Sequence, residues 1–213
     1  MKRAALVLAL LLPAGAALAS PPVASGKPWL RKQTLDPDWP CQSIKRTDLS
    51  VAEMWAGPPI DAAAMQAGKR PAISTLAGRL AERRVPLEDA KSEIVAFAQS
   101  AGAQKQERLV ALFAGLFDAL NQERQSVVSG LDRFGVRQKQ IAGGIRTQEQ
   151  QLTTLQSAAQ PDQSAIDKLA DRIAWAQQMF DERRQSLQYA CAVPDVIEQR
   201  LYALAQAIQT QLP

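Results

Sequence analysis

The stretch LQSAAQPDQSAI, residues 155–166, decides the fold of this chain. Pro161 has no amide hydrogen and its ring clashes with a preceding helical turn, so we expect a helix to end before it. Asp162 or Ser164 can then cap a new helix, because a side-chain oxygen there can accept a hydrogen bond from a free backbone amide. The stretch therefore predicts a turn at Gln160–Pro161 between two helices.

On both sides of this turn, mainly apolar residues recur with the alternating three- and four-residue steps of a coiled-coil seam. The seam before the turn contains Val127, Leu131, Phe134, Gln138, Ile141, Ile145, Gln148, Leu152 and Leu155. The seam after the turn contains Ile166, Leu169, Ile173, Ala176, Phe180, Arg183, Leu187 and Ala190. When the two seams are folded back on each other, the numbers of each facing pair sum to 321, as for Leu152 with Leu169.

This shared register predicts an antiparallel coiled-coil hairpin with arms at about 127–158 and 164–190, each about 40 Å long. Gln138 and Arg183 would form one polar layer, which can fix the register. The seams could instead pair with those of a second copy, which would give a homodimer.

The rest of the chain predicts a small helical body. No segment alternates apolar and polar residues as a half-buried strand does, so the predicted fold class is all-α. Ser50 and Glu53 form a capping-box pattern, and Asp61 can cap a second short helix. Pro71 and Pro86 suit the first turns of two further helices.

Pro194 is expected to break the chain again, with Asp195 capping a separate final helix. The predicted organisation is a body at 41–126, the hairpin at 127–190 and a C-terminal helix at 191–213 that packs on the body.

The first residues, MKRAALVLALLLPAGAALAS, have the form of a secretory signal peptide. Lys2 and Arg3 precede an apolar run, and Ala17-Leu18-Ala19 has the small-x-small form of a cleavage site. We predict a signal peptide at 1–19 and an extended, proline-rich lead-in at 20–40. The protein would then be periplasmic or secreted, without an integral membrane segment; the alternative is an uncleaved anchor.

Cys41 and Cys191 are the two cysteines of the chain. In an exported protein two cysteines most often pair, and their spacing shows no CxxC redox motif. A bond between them would tie the start of the body to the base of the hairpin. The alternatives are free thiols or an intermolecular bridge.

The composition restricts the classes of function. The chain has no histidine, which removes the commonest general base, the commonest zinc ligand and the Ser-His triad. Loss of Lys2 and Arg3 would reduce the 25 basic residues to 23, against 21 acidic ones, so no nucleic-acid partner is predicted. No phosphate-binding glycine loop or calcium loop is present in the sequence, so we predict no cofactor and no metal site.

Three features could carry a function. The pairs Glu88–Asp89 and Asp181–Glu182 are adjacent on predicted helices, where neighbours point about 100° apart, so solvated faces are favoured over a catalytic dyad. The element Trp55–Pro59 could bind a partner, although burial of its tryptophan in the core of the body is favoured. Trp175 flanks the hairpin seam and is a candidate contact residue, with packing on its own partner arm as the alternative.

The stretch Leu152-Thr153-Thr154-Leu155-Gln156 resembles the LTxxQ element of the Spy and CpxP family of periplasmic helical chaperones. The resemblance covers five residues in one copy, whereas that family carries two copies. It implies a cradle that holds unfolded client proteins.

The sequence thus favours a non-enzymatic adaptor or assembly factor of the cell envelope that contacts another envelope protein through the hairpin. The alternative is a holdase-type chaperone that binds unfolded clients. A carboxylate-based cell-wall hydrolase is less favoured, because no spacing forces two acids into one cleft. We predict no catalytic residues.

Overall fold

The computed structural model of the chain describes residues 36–213. The predicted signal peptide and the lead-in before residue 36 lie outside the described residues. Within residues 36–213 there are six α-helices and no strand: α1 Val51–Met54, α2 Ala62–Gly68, α3 Pro71–Ala81, α4 Leu87–Ser100, α5 Lys105–Gln156 and α6 Gln163–Gln209. A short 3-10 helix, Gly102–Gln104, leads into α5. The predicted all-α class is confirmed.

The turn between the two long helices forms where Pro161 predicts it. Helix α5 ends at Gln156, and α6 begins at Gln163 with Asp162 as its N-cap. The Ala165 amide donates to Asp162 Oδ1 at 3.1 Å, so the aspartate satisfies one of the free amides of the first turn. With 52 and 47 residues, α5 and α6 are about 78 and 70 Å long.

The predicted hairpin is confirmed. Ile145, Leu169 and Ile173 are buried in one apolar cluster. The cluster is completed by Ile141, Leu152, Leu155, Ala176 and Phe180, all of which belong to the two predicted seams. The two seams therefore pack on each other within one chain.

The predicted polar layer between Gln138 and Arg183 does not form. Arg183 is exposed, and Gln138 Oε1 is buried without a hydrogen-bond partner among the described residues. An arginine side chain can lay its methylene stem along the helix surface while its guanidinium stays in water. This arrangement keeps the Arg183 charge out of the predicted layer.

The body encloses the base of the hairpin. Its core combines fully buried residues of α5, such as Phe113 and Leu120, with Ile197 and Leu204 of α6. Helices α1 to α4 pack around these parts of α5 and α6. Helix α2 lies directly against α5, because a Cβ atom built on Gly68 would be 2.7 Å from the Gly115 nitrogen.

The predicted helix starts are largely confirmed. Asp61 caps α2 by accepting from the Ala64 amide at 2.8 Å, Pro71 is the first residue of α3, and Pro86 directly precedes α4. The capping box is wrong, because the Ser50 side chain makes no capping hydrogen bond. The Glu53 carboxylate instead pairs with Arg46 at 2.6 Å.

The predicted break at Pro194 is also wrong. The C-terminal residues are helical and pack on the body, but they continue α6 through Pro194 to Gln209. Proline inside a helix costs about 3 kcal/mol relative to alanine. Burial of Pro194 itself, and of Ile197, Leu201, Leu204 and Ile208 beyond it, offsets that cost.

Candidate functional site

The base of the hairpin is stapled by the disulfide between Cys41 and Cys191, whose Cα atoms are 5.6 Å apart. Cys191 lies one residue past the last predicted seam position, Ala190, so the bond ties the chain entering the body to the descending arm. Both cysteines are half-buried. The bond closes a long loop at a structural junction, in agreement with the structural role predicted from the sequence.

The segment from Asp36 to Leu49 runs along α5 from Lys139 towards Asn121. Lys139 pairs with Asp38 at 2.7 Å, and the Leu49 amide donates to Asn121 Oδ1 at 3.3 Å. The segment passes so close to α5 that a Cβ atom on Gly135 would overlap the Asp38 carbonyl oxygen. The end of the predicted extended lead-in is in fact a turn, closed by the Trp39 amide donating to the Asp36 carbonyl at 3.0 Å.

Lys45 clamps this segment to α5. Its Nζ lies 2.7 Å from Asp36 Oδ2 and 2.8 Å from Asp132 Oδ1. The hydrogen bond from Lys45, and then that from the Asp38 amide, hold the pKa of Asp36 below its ordinary value. The contacts with Asp132 and then with Asp36 raise the pKa of Lys45.

The clamp predicts a pH dependence of stability. The pKa of Asp36 is lowered by folding, so its contribution is complete above its ordinary value of about 4 and is lost as the pH falls through the lowered value. Lys45 has a raised pKa, so its contribution is complete below its ordinary value of about 10.4 and is lost as the pH rises through the raised value. Urea midpoints of the native chain and Asp36→Asn should differ at neutral pH and converge in acid.

A suitable control is Asp171→Asn, which removes an exposed carboxylate from the interior of α6 that enters no ion pair within residues 36–213. Its urea midpoint should follow that of the native chain at each pH. A difference for Asp36→Asn that persists unchanged below pH 2 would contradict the clamp.

Two arginines, the buried Arg124 and the half-buried Arg200, tie the body to the base of the hairpin. Arg124, of which only 3% is exposed, donates to Glu198 Oε1 at 2.7 Å and to the Arg46 carbonyl at 2.8 Å. Arg200 donates to the Leu80 carbonyl at 2.6 Å, and desolvation by burial lowers its pKa. These guanidinium groups are occupied by structural hydrogen bonds, and Arg124 also lines a small cavity of about 190 Å³ together with Trp39 and Glu198. The sequence pattern alone did not identify them.

Trp55 of the Trp55–Pro59 element is part of the core, as the favoured interpretation predicts, whereas Pro59 is exposed. The Trp55 ring stacks on Phe113 with centroids 4.2 Å apart, and its Nε1 donates to the Pro58 carbonyl at 2.7 Å. Only 7% of Trp55 is exposed. This element therefore cannot offer its tryptophan to a partner without unpacking the body.

The adjacent acids do not converge. Glu88 pairs with Lys91 at 2.8 Å and Asp181 with Arg184 at 3.4 Å, and all four predicted carboxylates are exposed. Over the described residues, no group of three or more Cys, Asp or Glu side chains is placed to hold a metal ion.

The chaperone-like stretch is part of the hairpin arm. Leu152 and Leu155 belong to the apolar cluster between the arms. The Thr153 hydroxyl donates to the Glu149 carbonyl and the Thr154 hydroxyl to the Gln150 carbonyl, both at 3.0 Å. Packing within the hairpin therefore accounts for these residues without a client.

The outer surface of α6 carries the most exposed aromatic side chains of the described chain. Trp175 is 67% exposed and Tyr189 is 82% exposed. A groove of about 580 Å³ lies near the turn, between the two arms, and neither of these aromatic residues lines it. It is lined by Gln151, Thr154, Leu155, Asp162, Ser164, Ala165, Lys168, Leu169 and Arg172.

Trp175 was predicted to flank the seam as a candidate contact residue, and the structure places it in solvent. Tyr189 and the groove were not predicted. The spacing of Tyr189 from Trp175, two heptads along one helix, is the signal that could have identified it.

Between residues 36 and 213, none of the helices combines the length and apolar character that crossing a bilayer requires. Comparison of the chain with protein-family models, curated proteins and solved structures gave no match.

Proposed function

We propose that this protein is an exported, non-enzymatic adaptor or assembly factor that contacts another envelope protein through its hairpin. The observation that carries the proposal is the arm itself. Its apolar cluster is built from α5 and α6 alone, apart from the core of the body, and its outer surface exposes 67% of Trp175. Tryptophan is enriched among the residues that contribute most of the binding energy at protein interfaces.

The anchoring of the arm supports this proposal. The Cys41–Cys191 bond and the ion pairs of Lys45 and Lys139 fix the segment from Asp36 against both long helices. A contact surface on a rigid support loses less conformational entropy on binding than one on a mobile loop. The disulfide and the predicted signal peptide both fit an oxidising, extracytoplasmic compartment.

A holdase-type chaperone would instead need a broad apolar cradle. The exposed large apolar side chains of the described chain are Ile44, Val95, Val136, Trp175, Tyr189, Val196 and Tyr202. They are distributed over the segment from Asp36 to Leu49 and over α4, α5 and α6. Because scattered exposure of this kind is ordinary for protein surfaces, it favours a defined contact over a client cradle.

The test is an in-cell photo-cross-link from the tip of the hairpin. A photoreactive amino acid at Ala159 should capture one dominant, stoichiometric envelope protein. The same amino acid at Ala72, an exposed position on α3, is the matched control and should capture less of it. Capture of many unfolded exported proteins would favour the chaperone, and capture of nothing, or of a second copy alone, would refute the adaptor.

A further inference from the structure

Helix α6 carries a second row of residues with heptad spacing on its outer surface. The row consists of Ala165, Lys168, Arg172, Trp175, Met179, Glu182, Ser186 and Tyr189, with alternating steps of three and four. Such a row follows one side of a helix over its whole length. Five of its eight members carry long or aromatic side chains that are exposed to solvent.

This row lies on a defined flank of the hairpin. On the other flank, Gln177 Nε2 donates to Glu149 Oε1 at 2.8 Å and links the two arms. Residues two positions apart on a helix point about 200° apart, so Trp175 and Met179 face away from that link. Ala165, Lys168 and Arg172 also line the groove near the turn, which places the groove on the same flank as the row.

The row is complementary to itself when a second copy runs antiparallel. With facing residue numbers that sum to 354, Arg172 meets Glu182 of the second copy and Trp175 meets Met179 of the second copy. The first pair joins opposite charges, and the second brings a thioether to an aromatic ring, which is a favourable contact. Lys168 meets Ser186, so like charges face each other in no layer.

The outermost facing pair of the row brings Tyr189, the most exposed aromatic residue, to the groove near the turn. In the same register Tyr189 of one copy reaches Ala165 of the other, a small residue that lines the groove of about 580 Å³. Leu155 and Leu169 line the same groove and provide apolar contact for the ring. A two-fold axis repeats each contact, so one surface supplies both halves of the interface.

We propose that two copies of this chain associate antiparallel along this row of α6, with Tyr189 of each copy seated in the tip groove of the other. The occupant is a second copy because the charge along the row reverses: Lys168 and Arg172 lie on one side of Trp175 and Glu182 on the other. An antiparallel copy complements that order residue by residue. The proposal goes beyond the adaptor function: in the dimer Trp175 contacts the second copy, so the other envelope protein would be contacted at the turn around Ala159.

The experiment is sedimentation equilibrium of the oxidised chain without its signal peptide, over a range of concentrations. The native chain should change from monomer to dimer as concentration rises. Trp175→Ser should weaken the dimer at least 30-fold, since a central tryptophan typically contributes about 2 kcal/mol or more to an interface. Val136→Ser, which removes another exposed apolar side chain outside the row, is the control and should leave the dimer unchanged.

A charge exchange tests the register. Glu182→Arg should weaken association, because it places two cations opposite each other, and the double variant Arg172→Glu with Glu182→Arg should restore it. All of these positions are exposed, and thermal unfolding will show that the variants remain folded. A native chain that stays monomeric, a dimer indifferent to Trp175→Ser, or a charge exchange without rescue would each overturn the proposal. A monomer that still captures another protein from Ala159 would leave the adaptor function intact.

Discussion

Removal of the disulfide by Cys41→Ala will lower the free energy of unfolding by about 3–5 kcal/mol. The bond closes a loop of 150 residues, and the chain-entropy model assigns about 5 kcal/mol to such a loop. Native-state strain usually reduces the measured value. The quantity to measure is the free energy of unfolding from urea titrations followed by circular dichroism, under non-reducing conditions.

The internal control is that substitution of either cysteine should cause the same loss in the free energy of unfolding. Cys191→Ala and the double variant should match Cys41→Ala within about 0.5 kcal/mol, because each removes the same bond. Reductant should destabilise the native chain to the same level and leave the double variant unaffected. A loss below 1 kcal/mol in all variants would mean that native-state strain, or residual structure in the unfolded chain, cancels most of the chain-entropy gain.

Arg124→Ala will destabilise the protein by about 3–5 kcal/mol. Only 3% of Arg124 is exposed, and its guanidinium is the donor to Glu198 and to the Arg46 and Thr47 carbonyls. Without it, the largely buried Glu198 carboxylate and two carbonyls lose their hydrogen-bond donor. Removing one partner of a buried ion pair is costly because the other charge is left buried and unpaired. Urea titration of the oxidised chain measures the loss.

The matched control is Arg133→Ala, at an exposed arginine on the same helix, which should change stability by less than about 0.5 kcal/mol. Adding Glu198→Gln to Arg124→Ala should recover part of the loss, since the unpaired charge is then removed. If Arg124→Ala proved no worse than Arg133→Ala, Arg124 would not be a structural tie between the body and the segment from Asp36.

The hairpin could be predicted from the sequence because its determinants are local. Pro161 and Asp162 define the turn, and the register follows from the steps between Val127 and Ala190. Nothing distant in the chain competes with these signals, so Ile145, Leu169 and Ile173 occupy the predicted cluster. The pairing of Cys41 with Cys191 could also be predicted, because two cysteines allow only one intramolecular pairing.

The errors arose where distant residues override a local preference. Pro194 lies inside α6 because the buried residues that follow it keep the helix packed on the body. Glu53 leaves its capping position because Arg46 is within reach of its carboxylate. The predicted Gln138–Arg183 layer required both side chains to turn inwards, and the arginine remains in water.

Only part of the proposed contact surface could be predicted from the sequence. Trp175 could be singled out by its type and its position beside the seam. The groove near the turn could not, because it results from the way residues of both arms, such as Leu155 and Leu169, leave space between them. Heptad spacing shows which residues share a side of a helix, but it does not show the volume between two helices.

The separation of the two cysteines has a consequence for how the protein is made. Synthesis proceeds from the N-terminus at about 5–20 residues per second, so Cys41 leaves the ribosome roughly 8–30 s before Cys191. If the chain is exported during its synthesis, the first thiol has no correct intramolecular partner for that interval and is open to mixed disulfides with other molecules. Once Cys191 arrives, a single connectivity exists within the chain. Oxidation alone completes the bond, and no reshuffling of wrong pairs within the chain is needed.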